Sequence, residues 1–326
     1  MTAMDNRVME RQTTIGLGPP IVEVQCLHKT YGRTTAVDDV SFSVQPGEIF
    51  GILGPNGAGK TTTVECISGL RAADGGTIRV LGLDPQRDRA ALRTWLGVQL
   101  QEGSLRSSLR VWETLDLFAS FYPHPAETGE LLDLLGLTPK REASYRSLSG
   151  GQKQRLSVAL ALVGNPRVAI LDELTTGLDP QARRETWGLI ENVRDRGVTV
   201  LLVTHFMDEA ERLCDRVALI DRGRVIAMDT PTHLAEQEGG GHHMRFQPSG
   251  PFDDRLLTQL PIVNQVEHQG HRIVVSGTDD LLNAVTHTLA RVGVEVREVQ
   301  LESATLEDAF VRLTGRPSPS TDKEKR

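Results

Sequence analysis

Long apolar runs, aromatic residues and regularly spaced cysteines are all scarce in this chain of 326 residues. The most apolar segments are only as long as a β-strand, well short of the roughly 18 residues that a membrane-spanning helix needs. Aromatic residues make up 4% of the sequence, which argues against a stacking platform for single-stranded nucleic acid. Residues 1–20 contain no apolar signal region, so we expect the chain to stay inside the cell.

The formal net charge of −7 and the three cysteines narrow the function classes further. A nucleic-acid-binding protein normally presents a basic face, so we expect no nucleic-acid partner. Cys26, Cys66 and Cys214 are odd in number and have no CxxC spacing. They predict reduced structural thiols and argue against a disulfide framework or a cysteine metal site.

Strand-like and helical segments alternate between residues 21 and 235. This alternation predicts βαβ units, and the fold class that we expect is α/β with a mostly parallel sheet and an antiparallel β part. The segments at 48–53, 167–171 and 198–204 are continuously apolar, which is typical of strands covered on both faces. Residues 105–147 have helical spacing with polar breaks, which predicts a helical insertion in the α/β core.

The remaining segments predict a smaller second domain and flexible connections. Three consecutive glycines predict a linker at residues 236–243. Strand-like and helical patterns over residues 244–316 predict a small α+β domain, which includes a last helix that begins near Thr305. Residues 1–20 and 317–326 are polar, and we expect them to be disordered.

The sequence GPNGAGKTT at residues 54–62 is a complete phosphate-binding loop of the form G-x-x-x-x-G-K-[ST]. Its glycines let backbone N–H groups turn toward the phosphates, while the lysine adds a positive charge and the first threonine a ligand for Mg²⁺. The chain should therefore bind a nucleotide, with Lys60 also acting in catalysis. The predicted binding residues here are Gly54, Pro55, Asn56, Gly57, Ala58, Gly59, Lys60, Thr61 and Thr62.

Two adjacent acids end the apolar strand VAILDE at residues 168–173. A buried strand normally avoids carboxylates. Beside a phosphate loop, Asp172 is placed to hold Mg²⁺, and Glu173 is placed to act as the general base that activates water. Without that loop in the sequence, the two acids would more often belong to a helix cap or a turn.

Gln101 and His205 are candidates for further contacts to the γ-phosphate. Gln101 lies where the core gives way to the helical insertion, and His205 follows an apolar strand. Phosphoryl transfer depends on positioning and charge stabilisation, which favours the convergence of several polar groups. Taken alone, either residue would be an ordinary polar side chain at a strand end.

A second anion-binding pattern occurs in LSGGQ at residues 148–152. Ser149, Gly150 and Gly151 open a basic amphipathic helix, and the free N–H groups of a helix N-terminus attract anions. An ordinary serine cap with a glycine turn would also explain the start of this helix. It would not explain why the other motifs are present.

The phosphate loop, Gln101, LSGGQ, ILDE, GLDP and His205 occur in the order of the ATP-binding cassette ATPases. Over about residues 21–235 the chain therefore resembles the ATP-binding subunits of ABC transporters. The resemblance implies a P-loop NTPase core that binds ATP and Mg²⁺. It also implies that Tyr31 stacks on adenine, that Gln101 contacts Mg²⁺ and the membrane partner, that Asp179 belongs to the D-loop, and that His205 contacts the γ-phosphate.

In this family the LSGGQ segment of one subunit, which here ends in Gln152, closes over the ATP held by the phosphate loop of a second subunit. The resemblance thus implies a head-to-tail dimer around two ATP molecules, and we expect a homodimer. Leu174 and Thr176 stand where the family commonly has proline and serine. Neither change removes a catalytic group, so we expect an active ATPase.

A narrower resemblance concerns the segment LEDAFVRLTGR at residues 306–316. This ending, after a full cassette and a small α+β domain, resembles the bacterial drug-export ATPases of the daunorubicin-resistance type, which pair with ABC-2 type permeases. It implies an ATP-hydrolysing motor for export of a drug, antibiotic or lipid-like substrate. Such a motor would be attached through its permease to the cytoplasmic face of the plasma membrane.

We expect the permease to dock between the core and the helical insertion, near Phe118, Phe121 and Tyr122. These three side chains would also fit the core of the insertion itself. An import ATPase has the same catalytic motifs and stays an alternative. A soluble cassette protein without a transport role is disfavoured by the single cassette and the acidic charge.

Overall fold

The computed structural model describes residues 18–99, 105–238, 241–270, 272–277 and 280–315. Within these ranges no helix is long and apolar enough to span a membrane. The larger of two sheets contains β1 (Val22–Tyr31), β2 (Thr34–Val44), β3 (Ile49–Leu53), β4 (Gly75–Val80), β5 (Leu96–Gln99), β6 (Val168–Asp172), β7 (Thr199–Thr204), β8 (Arg216–Asp221) and β9 (Arg224–Asp229). The smaller sheet contains β10 (His242–Pro248), β11 (Val263–Gln269), β12 (Arg272–Gly277) and β13 (Val296–Ser303). The helices are α1 (Lys60–Ile67), α2 (Arg89–Leu92), α3 (Val111–Ala119), α4 (Thr128–Leu134), α5 (Gly150–Leu162), α6 (Pro180–Asp195), α7 (Met207–Leu213), α8 (Pro231–Glu238), α9 (Arg255–Thr258), α10 (Leu281–Arg291) and α11 (Leu306–Thr314).

The larger sheet has the strand order β4-β1-β2-β9-β8-β3-β7-β6-β5. Strands β8, β3, β7, β6 and β5 are parallel neighbours, whereas β1 pairs antiparallel with both β2 and β4. Ile49 and Leu53 of β3 enter one apolar core, and Phe50 and Ile52 enter a second, because successive side chains point to opposite faces. The predicted α/β fold, mostly parallel with an antiparallel part, is confirmed.

The register of the central strands brings three sequence motifs to one edge of the sheet. Leu53, the last residue of β3, pairs with Thr204, the last residue of β7. Asp172, at the end of β6, pairs with Val203 of β7. Because the carboxyl ends of parallel strands lie at the same edge, the segments that follow β3, β6 and β7 come together there.

Between β5 and β6 the chain leaves the sheet and forms a helical part. Helices α3 and α4 lie within the predicted insertion at 105–147, and both pack against α5. The contact is apolar, since Leu115 of α3, Leu131 of α4 and Leu156 of α5 are buried in one core. The predicted helical insertion is confirmed, and α5 extends the helical part beyond it.

The smaller sheet has the order β11-β12-β10-β13, and all its pairings are antiparallel. Helices α9 and α10 pack against it around a separate core that contains Phe246, Val275 and Leu289. This is the small α+β fold that the sequence predicts for the C-terminal part. The connection to it differs from the prediction: α8 continues to Glu238 and β10 begins at His242, so most of the predicted linker at 236–243 lies inside these elements.

The last helix, α11, lies away from the small core in which the sequence placed it. Leu306 and Phe310 are buried in a core of the larger sheet, where α11 packs against α7 and α8. The backbone N–H of Leu306 donates to the carboxylate of Glu211 on α7. The sequence correctly predicts a helix that begins near Thr305, where Thr305 caps α11 in a capping box with Asp308. This start signal does not indicate which of the two cores the helix packs against.

Candidate functional site

The phosphate loop lies between β3 and α1, and three glycines with positive φ give it its shape. The φ values of Gly54, Gly57 and Gly59 are 152°, 81° and 103°. A Cβ atom at Gly54 would collide with the carbonyl oxygen of Ile220, and one at Gly59 with that of Ala36. Glycine is therefore required for the chain to make this turn and present its N–H groups at the start of α1.

Lys60, the first residue of α1, is the cation of this loop. Its side chain is buried, and Nζ donates to the carbonyl oxygens of Gly54 at 2.8 Å and Pro55 at 3.1 Å. Burial lowers the pKa of Lys60, while the charges of Glu173 and Asp172 act in the opposite direction. The ammonium group is thus fixed in place before any anion binds.

An open cavity of about 440 Å³ lies beside the loop. Its lining residues are Ala36, Asn56, Gly57, Gly59, Lys60, Thr61, Thr62 and Glu173. Most of the predicted phosphate-binding residues and the predicted base therefore face a single space. Ala36 of β2 also lines this cavity, although the sequence does not predict it as a site residue. It lies far from the loop in the chain, and the fold brings the two together.

Asp172 is a buried carboxylate next to the loop. Its Oδ2 accepts a hydrogen bond from the Thr61 hydroxyl at 3.5 Å, and its backbone N–H donates to Gln99 at 3.1 Å. Burial raises the pKa of Asp172 to about 6; the charge of Glu173 adds to the rise, and Lys60 opposes it. Asp172 Oδ1 is buried and has no hydrogen-bond partner among the residues that the structure describes. A hydroxyl and a carboxylate with a free oxygen are the hard donors that Mg²⁺ prefers, so these two residues fit that ion.

Glu173 and His205 come together at the ends of β6 and β7. His205 Nδ1 lies 3.2 Å from Glu173 Oε1, and both side chains are almost completely buried. Glu173 has a φ of 49°, a conformation that non-glycine residues rarely adopt, and its backbone N–H donates to the carbonyl oxygen of Val203 at 2.8 Å. The strained backbone turns the carboxylate toward the phosphate-loop cavity, which Glu173 lines.

The segment LSGGQ opens α5 with a complete capping box. Ser149 Oγ accepts from the N–H of Gln152 at 3.3 Å, and Gln152 Oε1 accepts from the N–H of Ser149 at 3.0 Å. Gly150 is exposed, and Cβ atoms at Gly150 and Gly151 would meet no backbone atom. The serine thus has the ordinary capping role, and the two glycines leave the helix N-terminus accessible.

A second cavity of about 380 Å³ lies at this N-terminus. Its lining residues are Ser149, Gly150, Gly151, Gln152, Arg155, Gly177, Leu178, Asp179, Ala182 and Glu185. Asp179 caps α6 by accepting from the N–H groups of Gln181 at 3.0 Å and Ala182 at 2.9 Å. The lining residues of this cavity and of the phosphate-loop cavity do not overlap. Within one chain, the phosphate loop and the LSGGQ segment therefore lie at two separate cavities.

Tyr31 is not among the lining residues of either cavity. Tyr31 ends β1 and is 39% exposed, with the guanidinium carbon of Arg71 5.1 Å from its ring centroid. Asp74 fixes the neighbouring Thr30 by accepting from its N–H at 2.7 Å. Gln101 lies outside the described residues.

Comparison with known proteins agrees with this geometry. Residues 37–176 match the family model described as ABC transporter. The chain is similar to the Nod factor export ATP-binding protein I of Ralstonia nicotianae, with 40% identity over 92% of this chain and 96% of that protein. Similar solved structures cover about two thirds of the chain.

Two of these structures illustrate the resemblance. An ATP-binding subunit of an ABC transporter is 30% identical, with a TM-score of 0.61, over 67% of this chain and 93% of its own. A dimeric post-hydrolysis state of an ATP-binding cassette bound to ADP and Pi is 26% identical, with a TM-score of 0.58, over 64% of this chain and 98% of its own.

Proposed function

Since the chain belongs to the family of ABC transporter ATP-binding subunits, we propose that it is the ATP-hydrolysing motor of a bacterial exporter. The observation that carries the proposal is the convergence of Lys60, Asp172, Glu173 and His205 at one edge of the sheet. These groups supply the charge, the metal ligand and the base that hydrolysis of a nucleoside triphosphate needs.

In the proposed reaction, Lys60 and the N–H groups of residues 54–62 bind the β- and γ-phosphates of ATP. Thr61 and Asp172 would hold Mg²⁺, which neutralises phosphate charge when it is bound. Glu173 takes a proton from the attacking water, and His205 orients the Glu173 carboxylate and contacts the γ-phosphate. The P–O bond to the leaving ADP breaks as the water oxygen bonds to phosphorus, giving ADP and Pi.

The active unit in this proposal is a head-to-tail homodimer. The phosphate-loop cavity and the cavity at Ser149 have no lining residue in common, which supports an arrangement in which another chain supplies the second half-site. If a two-fold axis relates the two chains, each phosphate-loop cavity faces the Ser149 cavity of the other chain, and both sites are completed together. The dimeric structure of the similar cassette with ADP and Pi bound supports this assembly. ATP would then close the two subunits, and hydrolysis would let them separate.

The closing motion must reach a separate permease, which we propose to be of the ABC-2 type at the cytoplasmic face of the plasma membrane. An apolar cavity of about 750 Å³ is a suitable docking groove. Its apolar lining residues include Leu70, Leu96, Phe121 and Tyr122, and the last two belong to the helical part. Phe121 is 69% exposed, which supports a binding role for at least this aromatic side chain.

The direction that we propose is export, of a drug, antibiotic or lipid-like compound. The full-length relatives that are 39–41% identical are named for Nod factor export, which favours export over import.

Inverted membrane vesicles that contain this chain and its permease provide the test. ATP should drive uptake of a fluorescent amphiphile into the vesicles, and Glu173→Gln should abolish the uptake. Uptake only into right-side-out vesicles supplied with internal ATP would identify an importer instead.

A further inference from the structure

A second buried carboxylate, Glu209, lies outside the phosphate-loop cavity. It is on α7, and its side chain has no solvent exposure. Burial raises its pKa, an effect opposed by contacts with Thr204, Thr175 and Trp187 and by the charge of Arg183. Burial of a carboxylate costs free energy of folding unless neighbouring donors or positive charges compensate for it. The function of Glu209 should therefore follow from its neighbours.

The groups around Glu209 come from three different segments, and each segment leads to the site. Trp187 Nε1 on α6 donates to Glu209 Oε1 at 3.1 Å, and α6 begins at the Asp179 cap. Thr204 ends β7 directly before His205, and Thr175 follows Glu173 by two residues. One side chain thus touches the segments that carry the base, the histidine and the cap at the second cavity.

Thr204 connects Glu209 to the backbone of the histidine segment. Its Oγ accepts from the N–H of Phe206 at 3.0 Å, and its hydroxyl group lies near the Glu209 carboxylate and opposes the rise of its pKa. Trp187 Nε1 donates to Glu209 Oε1, and the Thr175 and Thr204 hydroxyl groups lie near the carboxylate and oppose the rise of its pKa. Among the described residues, Glu209 Oε2 and Thr175 Oγ have no hydrogen-bond partner. A carboxylate presents acceptor oxygens to all three groups, whereas an amide can turn an NH₂ group toward one of them.

Further contacts join α6 to Phe206 and α7 near His205. The His205 and Phe206 rings lie 4.1 Å apart, and the Arg183 guanidinium carbon lies 4.3 Å from the Phe206 ring centroid. Arg183 also pairs with Asp208 of α7 at 3.3 Å. Arg183 and Trp187 are one turn apart on α6, so both contacts come from a single helix face.

We propose that Glu209 is a positioning residue for ATP hydrolysis. It fixes the segment Thr204–Phe206 against α6, so that His205 stays on the Glu173 carboxylate and moves together with the helix capped by Asp179. This inference rests on the proposed hydrolysis at the phosphate loop. Closure at Asp179, in the half-site of one chain, is thereby linked to the orientation of His205 in the same chain.

The test compares Glu209→Gln with Trp187→Phe, which removes only the indole donor. Glu236→Gln, at an exposed position of α8, is the matched control. We expect Glu209→Gln to lower kcat about fivefold to twentyfold and Trp187→Phe by a smaller factor, with the KM for ATP within about twofold of wild type. Glu236→Gln should match wild type. If Glu209→Gln does not fold, the kcat of Trp187→Phe is compared with the wild-type and Glu236→Gln values instead.

A second arm repeats both changes in a His205→Ala background, measured in single turnover with excess protein over radiolabelled ATP so that slow rates stay measurable. If Glu209 acts through His205, its substitution should change this rate less than about twofold. The proposal is overturned if Glu209→Gln keeps the wild-type kcat, or if it costs the same factor with and without His205. A wild-type chain that does not hydrolyse ATP would instead overturn the proposed function.

Discussion

The imidazole of His205 lies against the carboxylate of Glu173, with 3.2 Å between Nδ1 and Oε1, although 32 residues separate them in the chain. The contact exists because β6 and β7 are parallel neighbours whose carboxyl ends lie at the same sheet edge. A histidine in this position can orient the carboxylate toward a water molecule and can itself face a phosphate oxygen. The pair is therefore the chemical centre of the proposed hydrolysis.

Glu173→Gln should leave ATP binding unchanged and remove turnover. The amide keeps the shape of the side chain but cannot accept a proton, so we expect kcat to fall by about 10²- to 10⁴-fold while the Kd for ATP stays within twofold. Phosphate release and fluorescent-nucleotide titration measure the two quantities. Glu236→Gln controls for loss of a carboxylate elsewhere, and a normal rate in Glu173→Gln would show that another group is the base.

Gly59→Ala should disrupt the phosphate loop and nucleotide binding. Its Cβ would meet the carbonyl oxygen of Ala36, and its φ of 103° is unfavourable for alanine. Gly197 also has a positive φ, 87°, but has open space around it. We expect Gly197→Ala to cost about 1 kcal/mol in the free energy of unfolding without affecting ATP affinity. Gly59→Ala should cost more and lose ATP binding, as denaturant titration and nucleotide binding would show; equal effects at both positions would contradict the packing argument.

Asp172→Asn should stabilise the protein in the absence of nucleotide and Mg²⁺. The pKa of Asp172 is raised from 3.8 to about 6, so the folded chain binds more protons than the unfolded chain between these values. The carboxylate therefore destabilises the fold above pH 6, by up to about 3 kcal/mol, and the penalty disappears as the pH falls toward 4. Urea unfolding of both proteins across this range measures the difference, which should shrink with acid. A constant difference would exclude titration of Asp172 as its cause.

Tyr31→Ala should weaken ATP binding if the ring stacks on adenine. Stacking on an aromatic side chain contributes about 1–3 kcal/mol per base, so the Kd should rise about fivefold or more, whereas Tyr31→Trp should keep most of the affinity. Because stacking acts on the base, the affinity for inorganic triphosphate should be the same in all three proteins. A Kd for ATP that does not change in Tyr31→Ala would place adenine elsewhere.

The sequence predicts the phosphate loop, the acids of β6 and the parallel sheet because each depends on local order: glycine spacing, apolar runs and the residues at strand ends. It does not predict that α11 packs in the core of the larger sheet, because an apolar helix face can pack against any apolar core. It also does not single out Glu209, because nothing local distinguishes a buried acid on α7 from an exposed one. Both features arise only when distant segments pack together.

Sedimentation equilibrium of Glu173→Gln with ATP and Mg²⁺ tests most directly whether two copies complete each site. The account predicts a species of twice the 35.8 kDa chain mass with ATP and a monomer with ADP. Adding Gly150→Asp should prevent dimerisation, since an acid is well tolerated at a helix N-terminus but would repel the γ-phosphate there. A chain that stays monomeric with ATP, or that dimerises equally well with Gly150→Asp, would contradict it.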